Sequence, residues 1–261
     1  MACRLGATLA TGRLVRGVER GPRGWRVHLK DGEAVDADHV VLATPARASA
    51  PLVSGVDQAL AAAMLDIPFS GVAVVALGYR LDDIPRPLDG YGYLVTRGEG
   101  LTTLGVLWES SIFPNRAPAG MALLRAFMGG ARRPETAADD EAALVELARV
   151  EVRRVMGIVR EPAQVAVFRW PEAIAQYTLG HADRRARIAT RLLQHPGLHV
   201  CGTSYDGVSF NHAIKSGRAM ARTLAERLWP VASPDLSVAR SGEASRASAE
   251  RDGARMAGSS A

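Results

Sequence analysis

The sequence predicts an α/β (α+β) protein assembled from two differently styled parts, and three observations carry that prediction. The apolar run VVLA at 40–43 stops at Thr44-Pro45, as a strand buried on both faces does before the chain turns away. Near the other end, an apolar stretch at 198–201, a turn bounded by Gly202 and Gly207, and a helical pattern from Val208 towards Trp229 read as strand, glycine turn and helix. Between these ends lie strand-like runs at 72–79, 92–96, 103–108 and 122–128, joined by Gly, Pro and Asp turns. Consecutive strands at that spacing point to an antiparallel or mixed sheet forming a second domain.

The remaining elements follow in order. Residues 12–18 and 25–29 read as strands, with Asp31-Gly32 as a turn and 34–36 as a short return strand. A short helix is expected at 56–65, ended by Pro68. Residues 139–156 form an amphipathic pattern with Leu144, Leu147, Ala148 and Val155 on one stripe. A strand is expected at 165–170, an irregular interval at 171–180, and an arginine-rich helix at 181–194. From Val231 to Ala261 the composition turns to Ser, Ala, Gly, Glu and Arg without periodicity, which predicts a disordered tail. The expected segments are 1–53 and 178–230 for the first part, 54–177 for the second, and 231–261 for the tail.

Composition narrows the functional classes. A chain of 261 residues with 48% hydrophobic and 23% charged residues has the profile of a globular protein with a real core. The formal charge of +5 comes from scattered arginines, Lys30 and Lys215 being the only lysines, and no basic block or recognition motif points to nucleic acid. Cys3 and Cys201 stand alone, so a metal site is not expected and a reducing, cytoplasmic setting fits. No apolar run is long enough to span a bilayer. A dinucleotide site of the doubly wound type needs G-x-G-x-x-G between strand and helix, and the sequence contains none.

The turn at 202–210 opens a helix, whose free backbone N–H groups suit a phosphate or the electron-rich edge of a flavin. The same pattern also describes an ordinary structural turn. Four blocks give it a context: DADHVVLATPA at 36–46, DGYGYLV at 89–95 with TLGVLWESSIFPNRAP at 103–118, AIAQYTLGH at 173–181, and LHVCGTSYDGVSFNHAIKSG at 198–217. Together they resemble the C-terminal part of the oxygen-dependent, FAD-containing protoporphyrinogen oxidase family, over about residues 5–228.

That resemblance implies a two-domain FAD/NAD(P)-binding flavoprotein oxidase fold, here a partial Rossmann-like FAD domain plus a mixed or antiparallel substrate domain. Family members carry the glycine motif at their N-terminus, so the resemblance also implies a chain shortened there. It implies that the backbone of Val15 meets the adenine of FAD, that Val208, Ser209 and Phe210 meet the flavin pyrimidine edge, and that Trp170 walls the flavin cavity. Tyr91, Gly92, Leu94 and Phe127 match substrate-pocket positions, suited to a macrocycle that is flat and apolar in its middle. Three positions depart from the family pattern: Ala175 for a proline, His212 for an aspartate, and Phe210 for a smaller aliphatic residue. The implied reaction is oxidation of protoporphyrinogen IX to protoporphyrin IX by O2, with peripheral membrane contact and a homodimer as family traits. Coproporphyrinogen III is the alternative substrate. A flavin amine oxidase relative and a non-catalytic remnant are the other readings.

Overall fold

The computed structural model describes residues 9–228. The chain forms two compact units, Met1–Ser216 and Gly217–Ala261. In the second unit the described residues, 217–228, are helical. The expected tail at 231–261 lies outside the described residues.

The first unit opens with a three-stranded antiparallel sheet, β1 (Val15–Gly21), β2 (Gly24–Leu29) and β3 (Ala34–Ala37). β1 begins and ends three residues later than expected, because its register with β2 runs through Glu19↔Arg26 and Arg20↔Trp25 to Gly21↔Gly24. Charged residues belong to that strand because Glu19, on its outer side, lies 2.9 Å from the His28 ring across the hairpin, while Arg20, on the inner side, lays its guanidinium over the Trp25 ring, 4.3 Å from its centre. The inner side buries Val18 and Trp25, and the Trp25 indole N–H donates to the Pro196 carbonyl at 2.9 Å.

β4 (Val40–Leu42) pairs in parallel with β10 (Leu198–Val200), Val40↔Leu198 through Leu42↔Val200. This places the glycine turn after β10 and Thr44-Pro45 after β4 at the same, carboxyl end of the pair. The expectation of a strand covered on both faces fails at Val41, which is 37% exposed. Among the described residues β4 has one strand neighbour, β10.

Two helices follow. α1 (Ala46–Val53) went unread because Pro45 and Pro51 look like breakers; Pro45 stands just before the helix and Pro51 lies inside it. Its buried residues Ala46, Ser49, Ala50 and Val53 keep helical spacing. α2 (Gln58–Leu65) is capped by Asp57, whose side chain accepts from the Leu60 N–H at 2.9 Å. Although α2 falls in the segment expected to begin the substrate part, its Leu60 and Met64 join the core that holds Trp25, Val53, Ile188 and Leu198.

A second core is built on a five-stranded antiparallel sheet in the order β6-β7-β8-β5-β9. Its strands are β5 (Phe69–Arg80), β6 (Gly92–Leu94), β7 (Gly105–Trp108), β8 (Met121–Gly129) and β9 (Gln164–Ala175). The short helix α3 (Glu109–Ile112) follows β7, and α4 (Glu141–Met156) buries Leu144, Ala148, Val152 and Met156 in that core. Asp140 caps α4 through the Ala143 N–H, and Gly157 ends it in the left-handed conformation, φ 75°. β9 continues to Ala175, through the interval expected to be irregular. It is an edge strand, and a shift of register between Ser70 and Val72 accommodates Pro171, which has no N–H to give. Helices α5 (His181–Leu192) and α6 (Phe210–Leu228) complete the described chain.

Among the described residues no helix is long and apolar enough to cross a membrane, and no group of His, Cys, Asp and Glu is arranged to hold a metal ion.

Candidate functional site

Sheet register brings several of the expected substrate residues onto one surface. Leu94 pairs with Gly105, Gly105 with Phe127, Phe127 with Val74, and Val74 with Phe168, so a single cross-strand row runs over all five strands. Residues in one row point to the same side of a sheet. The opposite side carries the buried Val106, Ala126 and Val75. The row therefore lies on the outer face, and Leu94 there is 82% exposed. Trp170 belongs to the next row, opposite Val72, and its ring stacks on Phe168 with centroids 6.0 Å apart. Tyr91 precedes β6 and is exposed, its carbonyl accepting from the Trp108 N–H.

Gly92 has a structural role beside the one its sequence position suggests. Its φ is +129°, and a Cβ placed there would lie 2.0 Å from the Val106 carbonyl oxygen. The close approach of β6 to β7 by itself requires glycine at this position.

Sequence reasoning missed three residues of this face. Leu107 and Arg125 share a row with Gly92, and Phe168 shares one with Phe127. The signal was the alternation within each strand, which becomes a surface only once strand order and register are known.

The second cluster is the turn after β10. Its backbone is held from several directions. The Ser204 hydroxyl accepts from the Ala46 N–H at 2.9 Å, locking the turn to the start of α1, and the Ser216 hydroxyl accepts from the Gly202 N–H at 3.0 Å. Tyr177 donates to the Thr203 carbonyl at 2.8 Å, and Arg185 pairs with Asp206 at 2.5 Å. Tyr177 stands two residues past the end of β9 and stacks on His181 at 3.9 Å. The strand bearing Phe168 and Trp170 thus leads directly to the glycine turn. Burial holds the His181 imidazole below its ordinary pKa and pushes the Cys201 thiol up.

Ser209 is the N-cap of α6. Its hydroxyl accepts from the His212 N–H at 3.3 Å and lies 2.8 Å from the His212 Nδ1. His212 is thereby part of the cap. Gly207, φ +80°, leaves the space the His212 ring occupies, since a Cβ there would meet that ring at 2.3 Å. With the Ser209 side chain so engaged, only main-chain N–H groups of the first helical turn remain for a ligand. Ser209→Ala is expected to cost about 1 kcal/mol and Ser209→Asp much less, read as a shift in the urea midpoint. Equal losses would show that the cap is not what holds the turn.

Val208 and Phe210 are 50% and 80% exposed, apolar side chains flanking this helix start. Val15 lies on the separate three-stranded sheet, partly buried and opposite Leu29.

A parallel strand pair ending at a glycine turn and helix, beside a five-stranded antiparallel sheet with its own core, gives an α/β architecture built on two hydrophobic cores. Residues 1–225 match the model of the flavin containing amine oxidoreductases, and the chain belongs to that family. It is 28% identical over 196 residues to a coproporphyrinogen III oxidase of Bacillus subtilis, covering 75% of this chain and 41% of the relative. It is 33% identical over 227 residues to a protoporphyrinogen oxidase of Bos taurus, covering 84% and 47%. A redesigned putrescine oxidase shares the fold, with a TM-score of 0.67 at 16% identity, over 87% of this chain and 51% of that one. The chain spans less than half the length of these two curated relatives. The α/β class, the flavin cofactor and the porphyrinogen oxidase resemblance expected from the sequence all agree with these findings.

Proposed function

We propose that the chain takes part in FAD-dependent oxidation of a porphyrinogen to the corresponding porphyrin. The observation that carries the reading is the row Leu94–Phe127–Phe168 with Trp170 beside it, an open apolar face joined by β9 to a flavin-compatible turn. Relatives whose names specify protoporphyrinogen or coproporphyrinogen support the substrate class.

The residues present fit a flavin edge. FAD supplies the hydride-accepting chemistry when bound. The chain's own contribution at the turn is positional: main-chain N–H groups at the start of α6 favour negative charge at the pyrimidine edge, while Val208 and Phe210 exclude water beside it. On the sheet, Leu94, Leu107 and Phe127 offer an apolar bed for a flat macrocycle, and Trp170 and Phe168 extend it along the edge strand. Val15 as an adenine neighbour and Tyr91 at the rim of the bed belong to the same reading. So do O2 as the final electron acceptor, a homodimer, a cytoplasmic setting with Cys201 reduced, and the sequence-based preference for protoporphyrinogen IX.

The test is a visible spectrum of the purified protein equilibrated with FAD, followed by addition of protoporphyrinogen IX, coproporphyrinogen III or a primary amine. Retained flavin absorption with porphyrin emission rising on porphyrinogen addition is expected. Reaction with the amine alone would replace this reading with that of an amine oxidase. A colourless, inert protein would favour the remnant.

A further inference from the structure

We propose that Arg125 receives a carboxylate of the bound substrate on the outer face of the five-stranded sheet, with buried Glu109 as the counter-charge that holds its guanidinium there. The proposal rests on the porphyrinogen reading and adds the group that recognises the macrocycle's acidic side chains. Arg125 sits in the row Gly92–Leu107–Arg125, two residues along β8 from Phe127. It therefore places a cation on the apolar face, beside Leu107 across the strand pair and next to Phe127 along β8.

Its surroundings show what holds it. The Arg125 Nε is 2.9 Å from the Glu109 Oε2, with the arginine side chain 37% exposed and the glutamate 7%. Both atoms are buried and close enough to attract as charges, yet they are not aligned as a hydrogen bond, so neither is satisfied as a hydrogen-bonding group. The guanidinium carbon also lies 5.4 Å from the centre of the Phe127 ring. Glu109 engages the Nε edge. The end of the guanidinium is a planar fork that matches a carboxylate in two-pronged fashion, and the side chain stays reachable from the face. A substrate that is apolar in the middle and acidic at its periphery would set its ring on Leu94 and Phe127 and one carboxylate on Arg125.

The experiment titrates the 261-residue protein with coproporphyrin III and, separately, with its tetramethyl ester, following fluorescence. The free acid is expected to bind about tenfold more tightly than the ester, the scale of one charge-assisted hydrogen bond. Arg125→Met should remove that advantage and leave ester binding unchanged. Because this variant strands the Glu109 carboxylate and could unfold the sheet, the double variant Arg125→Met with Glu109→Gln removes both charges together and should give the same result. Arg125→Lys should recover part of the acid's advantage. Equal weakening of both ligands would mean a structural ion pair only and overturn the proposal. So would a wild-type protein that binds acid and ester alike, although the apolar-face reading would then survive. Failure of either porphyrin to bind at all would sink both.

Discussion

Gly92→Ala is expected to destabilise the protein nearly as much as Gly92→Leu. The conflict begins at the Cβ itself, 2.0 Å from the Val106 carbonyl oxygen, and the nearest atoms are backbone, which cannot swing aside as a side chain can. The positive φ adds conformational strain for any L-residue. A loss of roughly 3 kcal/mol or more is expected, at the high end for a single substitution, with β6 displaced from β7. Thermal or urea unfolding of the two variants measures it. An alanine variant of wild-type stability, with only the leucine variant impaired in porphyrin binding, would restore the simpler idea of a filled slot.

The second large effect is at Asp57. This buried carboxylate caps α2 through the Leu60 N–H and takes the Arg191 guanidinium at 2.7 and 2.9 Å and the His195 Nε2 at 2.7 Å. Burial alone would push its pKa up. The hydrogen bonds from Leu60, His195 and Arg191, with the charge of Arg191, outweigh burial and lower it to about 2. Asp57→Ala removes a cap and leaves His195 and Arg191 without their partner, an expected cost of about 3 kcal/mol. For a unit of this size that corresponds to a fall of roughly 10 °C in Tm. The pH dependence has a definite sign. A carboxylate whose pKa is depressed on folding contributes stability that is complete above its unfolded value, about pH 4, and is lost as pH falls through the folded value. Wild type should therefore lose on the order of 2 kcal/mol between about pH 4 and pH 2 that Asp57→Asn does not lose. Parallel acid-unfolding curves for the two proteins would contradict this account of the cluster.

These two positions show where the sequence was legible. The turn at Asp31-Gly32, the strands β5 to β8 and the stripe on α4 could be read because periodicity and turn residues are local signals. α1 and the far half of β9 could not, since Pro45, Pro51 and Pro171 look like breaks until a position before the helix and an edge-strand bulge make room for them. Asp57 meets Arg191 and His195 across more than a hundred residues, and no spacing rule announces that pairing. The candidate site divides the same way. Motif blocks pointed to Leu94 and the turn at 208–210, and the family resemblance to Phe127, whereas Leu107, Arg125 and Phe168 emerged from strand register alone.

The most direct measurement is a single-turnover reaction of the FAD-loaded protein with a porphyrinogen in the absence of oxygen. The flavin absorption should bleach while porphyrin emission appears, and admission of O2 should restore the flavin colour. Bound flavin that stays oxidised in the presence of either protoporphyrinogen IX or coproporphyrinogen III would contradict the assignment of the apolar face and its glycine turn to porphyrinogen oxidation.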